Sequence, residues 1–335
     1  MGAITRKTAV LAFGFVLLAA LPGIAHLMDE PFLVSTFSRV LIYAMAAVSL
    51  DLILGYGGMV SFGHAAFFGV GAYVVGILAH HAAEGTTVLG LAGTNLAVVS
   101  WAAAVLVSAG VAAVIGALSL RTDGVHFIMI TLAFAQMLFF LFVSLEPYGG
   151  DDGLMMMGRN DLFGIDLSDD MTFYYLCFIA LMAFLLLTRR LVDSRFGMVI
   201  RGCKQNERRM RALGFPVYRY KLTAFVIAGA GAGLAGALSA NHTEFVSPDF
   251  LHWTMSGDIM IIVILGGIGT LYGPVVGAVV FLMLEEFLPL AFDSVGLEGL
   301  KEHWRFLFGP ILILVVLFAR RGLFGLLAGR EARDG

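Results

Sequence analysis

Charge is what this 335-residue chain has least of: Asp, Glu, Lys and Arg together make up 13% of it, about half the share in an ordinary soluble domain. That scarcity excludes a water-soluble enzyme. Cysteine is nearly absent too. Cys177 stands in an apolar run and Cys203 among basic residues, so the chain can build neither a disulfide framework nor a thiolate metal cluster. The sequence has no G-x-x-x-x-G-K-S/T, no strand followed by G-x-G-x-x-G, no G-x-S-x-G and no H-E-x-x-H. It therefore lacks the phosphate cradle, nucleophile turn and zinc helix that such motifs supply. His80 and His81 are adjacent, but no cysteine or carboxylate cluster joins them at ligand spacing. Neither metal, cofactor nor nucleic acid is expected on this chain.

What is present is apolar surface. Hydrophobic residues make up 59% of the chain and its mean hydropathy is +0.91, too much for a single anchor. The expectation is an all-α polytopic membrane protein forming one transmembrane domain over 1–335, with eight to ten spans. Stretches of about 20 mostly apolar residues fall at 8–27, 33–54, 61–81, 97–119, 125–145, 171–188, 221–240, 256–272, 274–292 and 305–320. The segments 61–81 and 256–292 carry clustered glycines that can break a helix or make it re-entrant. The first run follows Arg6 and Lys7 as a secretory signal would, but no A-x-A site precedes Pro22, and a retained first helix is expected.

Charge then orients the spans. With the amino terminus inside, alternation places every basic residue inside except Arg39, Arg159, Lys301 and Arg305. The loop 146–170 falls outside with Glu146, Asp151, Asp152, Asp161, Asp166, Asp169 and Asp170 against Arg159 alone. Both termini are thus expected in the cytoplasm, by the positive-inside rule. The inner loop 189–220 is dense in Arg and Lys, and Met198, Ile200, Cys203, Met210 and Leu213 recur through it at roughly helical spacing until Gly214 and Pro216. This predicts a short amphipathic helix on the inner face and then a turn. It either sets topology against anionic lipid or docks a cytoplasmic subunit.

Polar groups inside spans are costly and are candidates for a path: Asp51, Ser61, His64, Thr131, Gln136 and Asp258. Arg39, Glu285 and Glu286 fall near outer ends, where snorkelling accounts for them. Two stretches, Leu54-Gly55-Tyr56-Gly57-Gly58-Met59-Val60-Ser61-Phe62-Gly63-His64 and Leu265-Gly266-Gly267-Ile268-Gly269-Thr270-Leu271-Tyr272-Gly273-Pro274, share clustered glycines and an aromatic-Gly pair. Helix breaks are expected at Gly55, Gly58, Gly63, Gly266, Gly267, Gly269 and Gly273, where a transporter exposes backbone to polar cargo or helices pack closely.

From about Leu50 to Leu288 these residues resemble a known family. The signature runs through the first glycine stretch into Ala65-Ala66-Phe67-Phe68-Gly69-Val70-Gly71-Ala72-Tyr73, then Thr131-Leu132-Ala133-Phe134, Gly149-Gly150-Asp151-Asp152-Gly153-Leu154, Asn206-Glu207-Arg208, Ala212-Leu213-Gly214, Ser247-Pro248 and the second glycine stretch. In this order it is similar to the permease subunits of ATP-binding-cassette importers for branched-chain amino acids, of the LivM type, in a bacterial inner membrane. The resemblance implies a coupling helix with Asn206, Glu207, Arg208, Ala212 and Gly214 at an ATPase cleft. It also implies a second related permease, two ATPase subunits that use ATP, and a periplasmic binding protein delivering leucine, isoleucine or valine. Related permeases carry urea, short amides or other amino acids. A lone carrier on an ion gradient would instead call for paired mid-membrane carboxylates.

Overall fold

The computed structural model describes residues 6–28, 30–88, 90–294, 309, 310, 313 and 322–328. Helix dominates it because long apolar segments must satisfy their own backbone groups in lipid. Helix α1 covers Arg6–Leu27, α2 Pro31–Asp51, α3 His64–Glu84, α4 Ala97–Ser119, α5 Val125–Val143 and α6 Asp170–Asp193. Two short helices follow, α7 (Arg195–Gln205) and α8 (Glu207–Ala212), and then α9 (Val217–Thr243), α10 (Trp253–Gly266), α11 (Gly273–Ser294) and α12 (Gly322–Ala328). Among the described residues seven helices are long and apolar enough to cross a membrane, namely α1 to α6 and α9. The span expected at 305–320 lies outside the described residues but for 309, 310 and 313.

Two expectations are corrected. The segment 256–272 is not a full span. Gly267, at φ 125°, ends α10 after 14 residues, about 21 Å of helix against a hydrocarbon core of about 30 Å. The basic loop holds two helices rather than one. Asn206 leaves the helical region at φ −160° and ψ 99°, and its Oδ1 accepts from the Arg209 amide at 3.0 Å, capping α8 and interrupting α7.

The bundle is organised around α9, whose small residues let three other helices come close. Gly233 faces Gly71 of α3 and the Ser108 side chain of α4, Gly236 lies against the Phe68 carbonyl, and Gly231 accepts the Phe184 ring of α6. A methyl group at Gly236 would collide with the α3 backbone. Ser108 donates to the Phe67 carbonyl at 3.1 Å, tying α4 to α3. Helix α2 is buried along almost its whole length, whereas α5 leaves Met129, Met137 and Phe140 exposed.

The two ends of the bundle differ in charge. At the acidic end, a hairpin of β1 (Thr87–Val88) and β2 (Leu91–Ala92) follows α3, and β3 (Leu154–Met155) pairs antiparallel with β4 (Phe245–Val246) just past α9. The 146–170 loop is thereby pinned. Arg159 donates to the Leu167 carbonyl at 2.8 Å and to Asp170 at 2.5 Å, and its guanidinium lies 4.5 Å from the Phe173 ring centre. Asn160 bonds both Asn95 and Asn241. The Asp169 carboxylate caps α6 through the Thr172 hydroxyl and amide, which hold it below its usual carboxylate range. At the basic end lie the α2–α3 turn, the α4–α5 turn, α7 and α8, and the α10–α11 turn. Helix α12 returns here, with Gly322 against Gly267 and Phe324 buried.

Candidate functional site

The candidate residues at the basic end begin with α2. Past Asp51 the ladder widens into a π-helical turn over Leu52–Tyr56. Gly55 is therefore not a helix break, as its sequence setting suggested, but a residue within a π-turn. A Cβ there would meet the Gly269 amide at 2.5 Å and the Asp51 carboxylate, so only glycine fits. The chain leaves the helix at Gly58, φ 70°, and α3 starts at His64 after Gly63. In the second glycine stretch Gly267 and Gly269 have positive φ and break the chain as expected. Gly266 and Gly273 are instead helical residues at the ends of α10 and α11, packed so closely that a Cβ on Gly266 would strike the Gly273 carbonyl.

The two stretches meet. Asp51 is buried, and its Oδ1 accepts from the Gly269 amide at 2.8 Å across 218 residues of sequence, while its Oδ2 has no hydrogen-bond partner. Lys204, at the end of α7, donates to the Gly55 carbonyl at 2.5 Å. One glycine thus touches the α10–α11 turn on one side and the basic helices on the other. Nothing in the spacing of the nine basic residues of the 189–220 loop distinguished Lys204.

Ser61, His64 and Thr131 gather beside this junction. Ser61 is fully buried and accepts from the Gly63 amide at 3.2 Å. His64 Nε2 lies 2.8 Å from Ser49 Oγ, whose hydroxyl is 2.7 Å from the Ala46 carbonyl. A hydroxyl has one proton; given to Ala46, it leaves His64 Nε2 as the donor. His64 Nδ1 is buried without a partner. The Thr131 carbonyl closes over Gly63, where a Cβ would come within 2.7 Å of it, and Ser256 of α10 accepts from the Ala65 amide at 2.8 Å. Gln136 and Asp258 stand deeper along their helices. Gln136 Nε2 is buried without a partner, and Asp258 is part-buried on the acidic half of α10.

Of the residues read as snorkelling, Arg39 and Glu285 instead pair with each other at 3.0 Å between α2 and α11. His80 pairs with Glu84 at 3.4 Å, and His81 lies 3.1 Å from the Tyr148 hydroxyl. Among the described residues no group of three His, Cys, Asp or Glu side chains is placed to hold a metal.

The α7–α8 unit is the second feature. Ser194 caps α7, whose Val199, Ile200 and Cys203 turn inward while Met198 stays exposed. Burial raises the Cys203 thiol pKa. Helix α8 ends in a Schellman motif, with the Phe215 amide bonding the Met210 carbonyl, the Gly214 amide bonding Arg211, and Gly214 at φ 87°. Ala212, Leu213 and Gly214 project into solvent with Arg208. Glu207 does not project. Its carboxylate is gripped by Lys221 of α9 and by Arg211 at 2.5 Å. Burial opposes its ionisation, but the hydrogen bonds and charges of Lys221 and Arg211 outweigh that and hold its pKa below the ordinary 4.5.

A bundle of membrane-crossing helices with glycine-built turns, buried polar groups at one end and a solvent-facing basic helix pair is the architecture of a membrane permease. The sequence model described as "Branched-chain amino acid transport system / permease component" matches residues 32–316, and the chain belongs to that family as a multi-pass permease subunit of an ATP-binding-cassette importer. It is 28% identical to the high-affinity branched-chain amino acid transport system permease protein LivM of Salmonella typhimurium, over 88% of this chain and 71% of that protein. LivM of Escherichia coli is 26% identical over 84% and 68%. The E. coli permease protein LivH is 23% identical over 84% and 91%. No solved structure matches.

Proposed function

We propose that this subunit forms one wall of a path that moves leucine, isoleucine or valine into the cytoplasm by alternating access. The family match across residues 32–316 carries this reading. The basic end is cytoplasmic and the acidic end periplasmic, in line with the distribution of Arg and Lys; both termini are then inside, in the inner membrane. The α7–α8 unit docks one of two separate ATPase subunits. Asn206 shapes its start, Arg208, Ala212 and Gly214 offer the exposed contacts, and Glu207 acts by holding α8 against α9. A second permease of the LivH kind forms the other wall, since relatives of both names match this chain. A periplasmic binding protein delivers the cargo at the acidic end. ATP is hydrolysed by the partners, and rigid-body rocking of the two permeases follows. Asp51, Ser61, His64, Thr131, Gln136 and Asp258 line or shape the path.

The test is uptake of labelled leucine by cells with and without the gene, in a strain lacking other leucine systems. Loss on deletion, with competition by excess isoleucine and valine but not urea, supports the reading. Unchanged leucine uptake moves the cargo to urea, short amides or another amino acid.

A further inference from the structure

Two tethers converge on Gly55. The Asp51 carboxylate holds the Gly269 amide at 2.8 Å, and the Lys204 ammonium holds the Gly55 carbonyl at 2.5 Å. The carbonyls at the end of a helix lack intrahelical donors, so Lys204 supplies one where the π-turn runs out. Its stem lies over Gly58, where a Cβ would come within 3.0 Å of Lys204 Cγ. Lys204 stands two residues before the Asn206 cap of α8. Displacement of α8 therefore reaches Lys204 through Gln205 and Asn206, and through Met210 of α8, which packs against Gly202 of α7. The Lys204 bond to Gly55 then crosses directly to the α2 end, and Asp51 carries on to the α10–α11 turn.

We propose that Lys204 is a positioning residue that ties movement of the α7–α8 unit to opening of the basic end of the bundle. The α2, α7 and α10–α11 ends are held closed as one unit, and they separate when Lys204 releases the Gly55 carbonyl. This rests on α7–α8 being the ATPase docking element.

The test uses the assembled transporter in proteoliposomes, with Cys177 and Cys203 replaced by Ala and the buried Met59 of the α2–α3 turn replaced by Cys as reporter. A water-soluble maleimide added at the basic end reads opening of the α2–α3 turn; labelled leucine and released phosphate give the amount moved per ATP. Loss of one charge-assisted hydrogen bond changes an opening equilibrium roughly tenfold. K204M, which keeps the apolar stem, is expected to label about tenfold faster and to move less leucine per ATP; K204R, which keeps a donor, restores both. A K204M protein that labels at the wild-type rate overturns the proposal. Faster labelling with unchanged leucine per ATP overturns the link to α8. A wild-type complex that takes up no leucine with ATP overturns the transport reading instead, and the labelling rate alone then decides whether Lys204 closes this end.

Discussion

Removing the ammonium of Lys221 should release α8 far more than removing the guanidinium of Arg211, although both groups pair with Glu207. The side chain of Lys221 is 13% exposed and that of Glu207 24%, whereas that of Arg211 is 64% exposed. A charge-assisted hydrogen bond in partly buried surroundings contributes about 1.5–3 kcal/mol; an exposed pair four residues apart on a helix contributes about 0.3–0.5 kcal/mol. K221M should therefore cost α8 roughly 1.5–2 kcal/mol of attachment, a tenfold or greater rise in its open population, and R211A less than a factor of about three. Amide hydrogen exchange over residues 206–214 in nanodiscs measures both. E207Q should resemble K221M, and the double variant should add little because the two groups form one pair. Acid should act in the same way. Since the folded-state pKa of Glu207 is lowered, its contribution is complete above the ordinary 4.5 and is lost as the pH falls through the lower folded value. Faster exchange in R211A than in K221M, or protection lost at neutral pH, would refute the reasoning.

Other substitutions test separate parts of the account. G236A should lower the melting temperature in detergent, since its methyl would enter the α3 backbone at Phe68 and overpacking costs about 1–3 kcal/mol; G14A, with open space around it, should leave the melting temperature unchanged. R159M should free the 146–170 loop to proteolysis, because the buried guanidinium joins Asp170, the Leu167 carbonyl and Phe173, while Asp170, half exposed, stays solvated without it. For sidedness, a cysteine at Met157, 94% exposed, should react with an impermeant maleimide from the periplasm, and one at Gln205 only from the cytoplasm. The opposite pattern would invert the topology.

The helical architecture was legible because apolar runs of membrane length leave little choice of backbone, and α3, α4 and α6 fall within a few residues of where hydropathy placed them. Turns at glycines were also visible: Gly58, Gly63, Gly267 and Gly269 sit where the chain leaves or enters a helix. Features made by contact were not. The π-turn at Leu52–Tyr56 carries Gly55 against the Gly269 amide, a neighbour 214 positions away that no local period reveals. The resemblance placed Glu207 among the coupling residues, but its tie to Lys221 on the next helix is a contact that local sequence does not reveal. Arg39 and Glu285 read as separate snorkelling side chains until α2 and α11 were placed side by side. Lys204 was one basic residue among the nine of the 189–220 loop, set apart only by the carbonyl that it reaches.

The measurement that bears most directly on the central claim is leucine uptake by proteoliposomes holding this chain with its partner subunits and binding protein. Uptake that needs both ATP and this subunit, and that isoleucine and valine compete while urea does not, is the predicted result. Leucine accumulation driven by a sodium or proton gradient without ATP, or ATP-driven uptake that persists when this chain is left out, would contradict it.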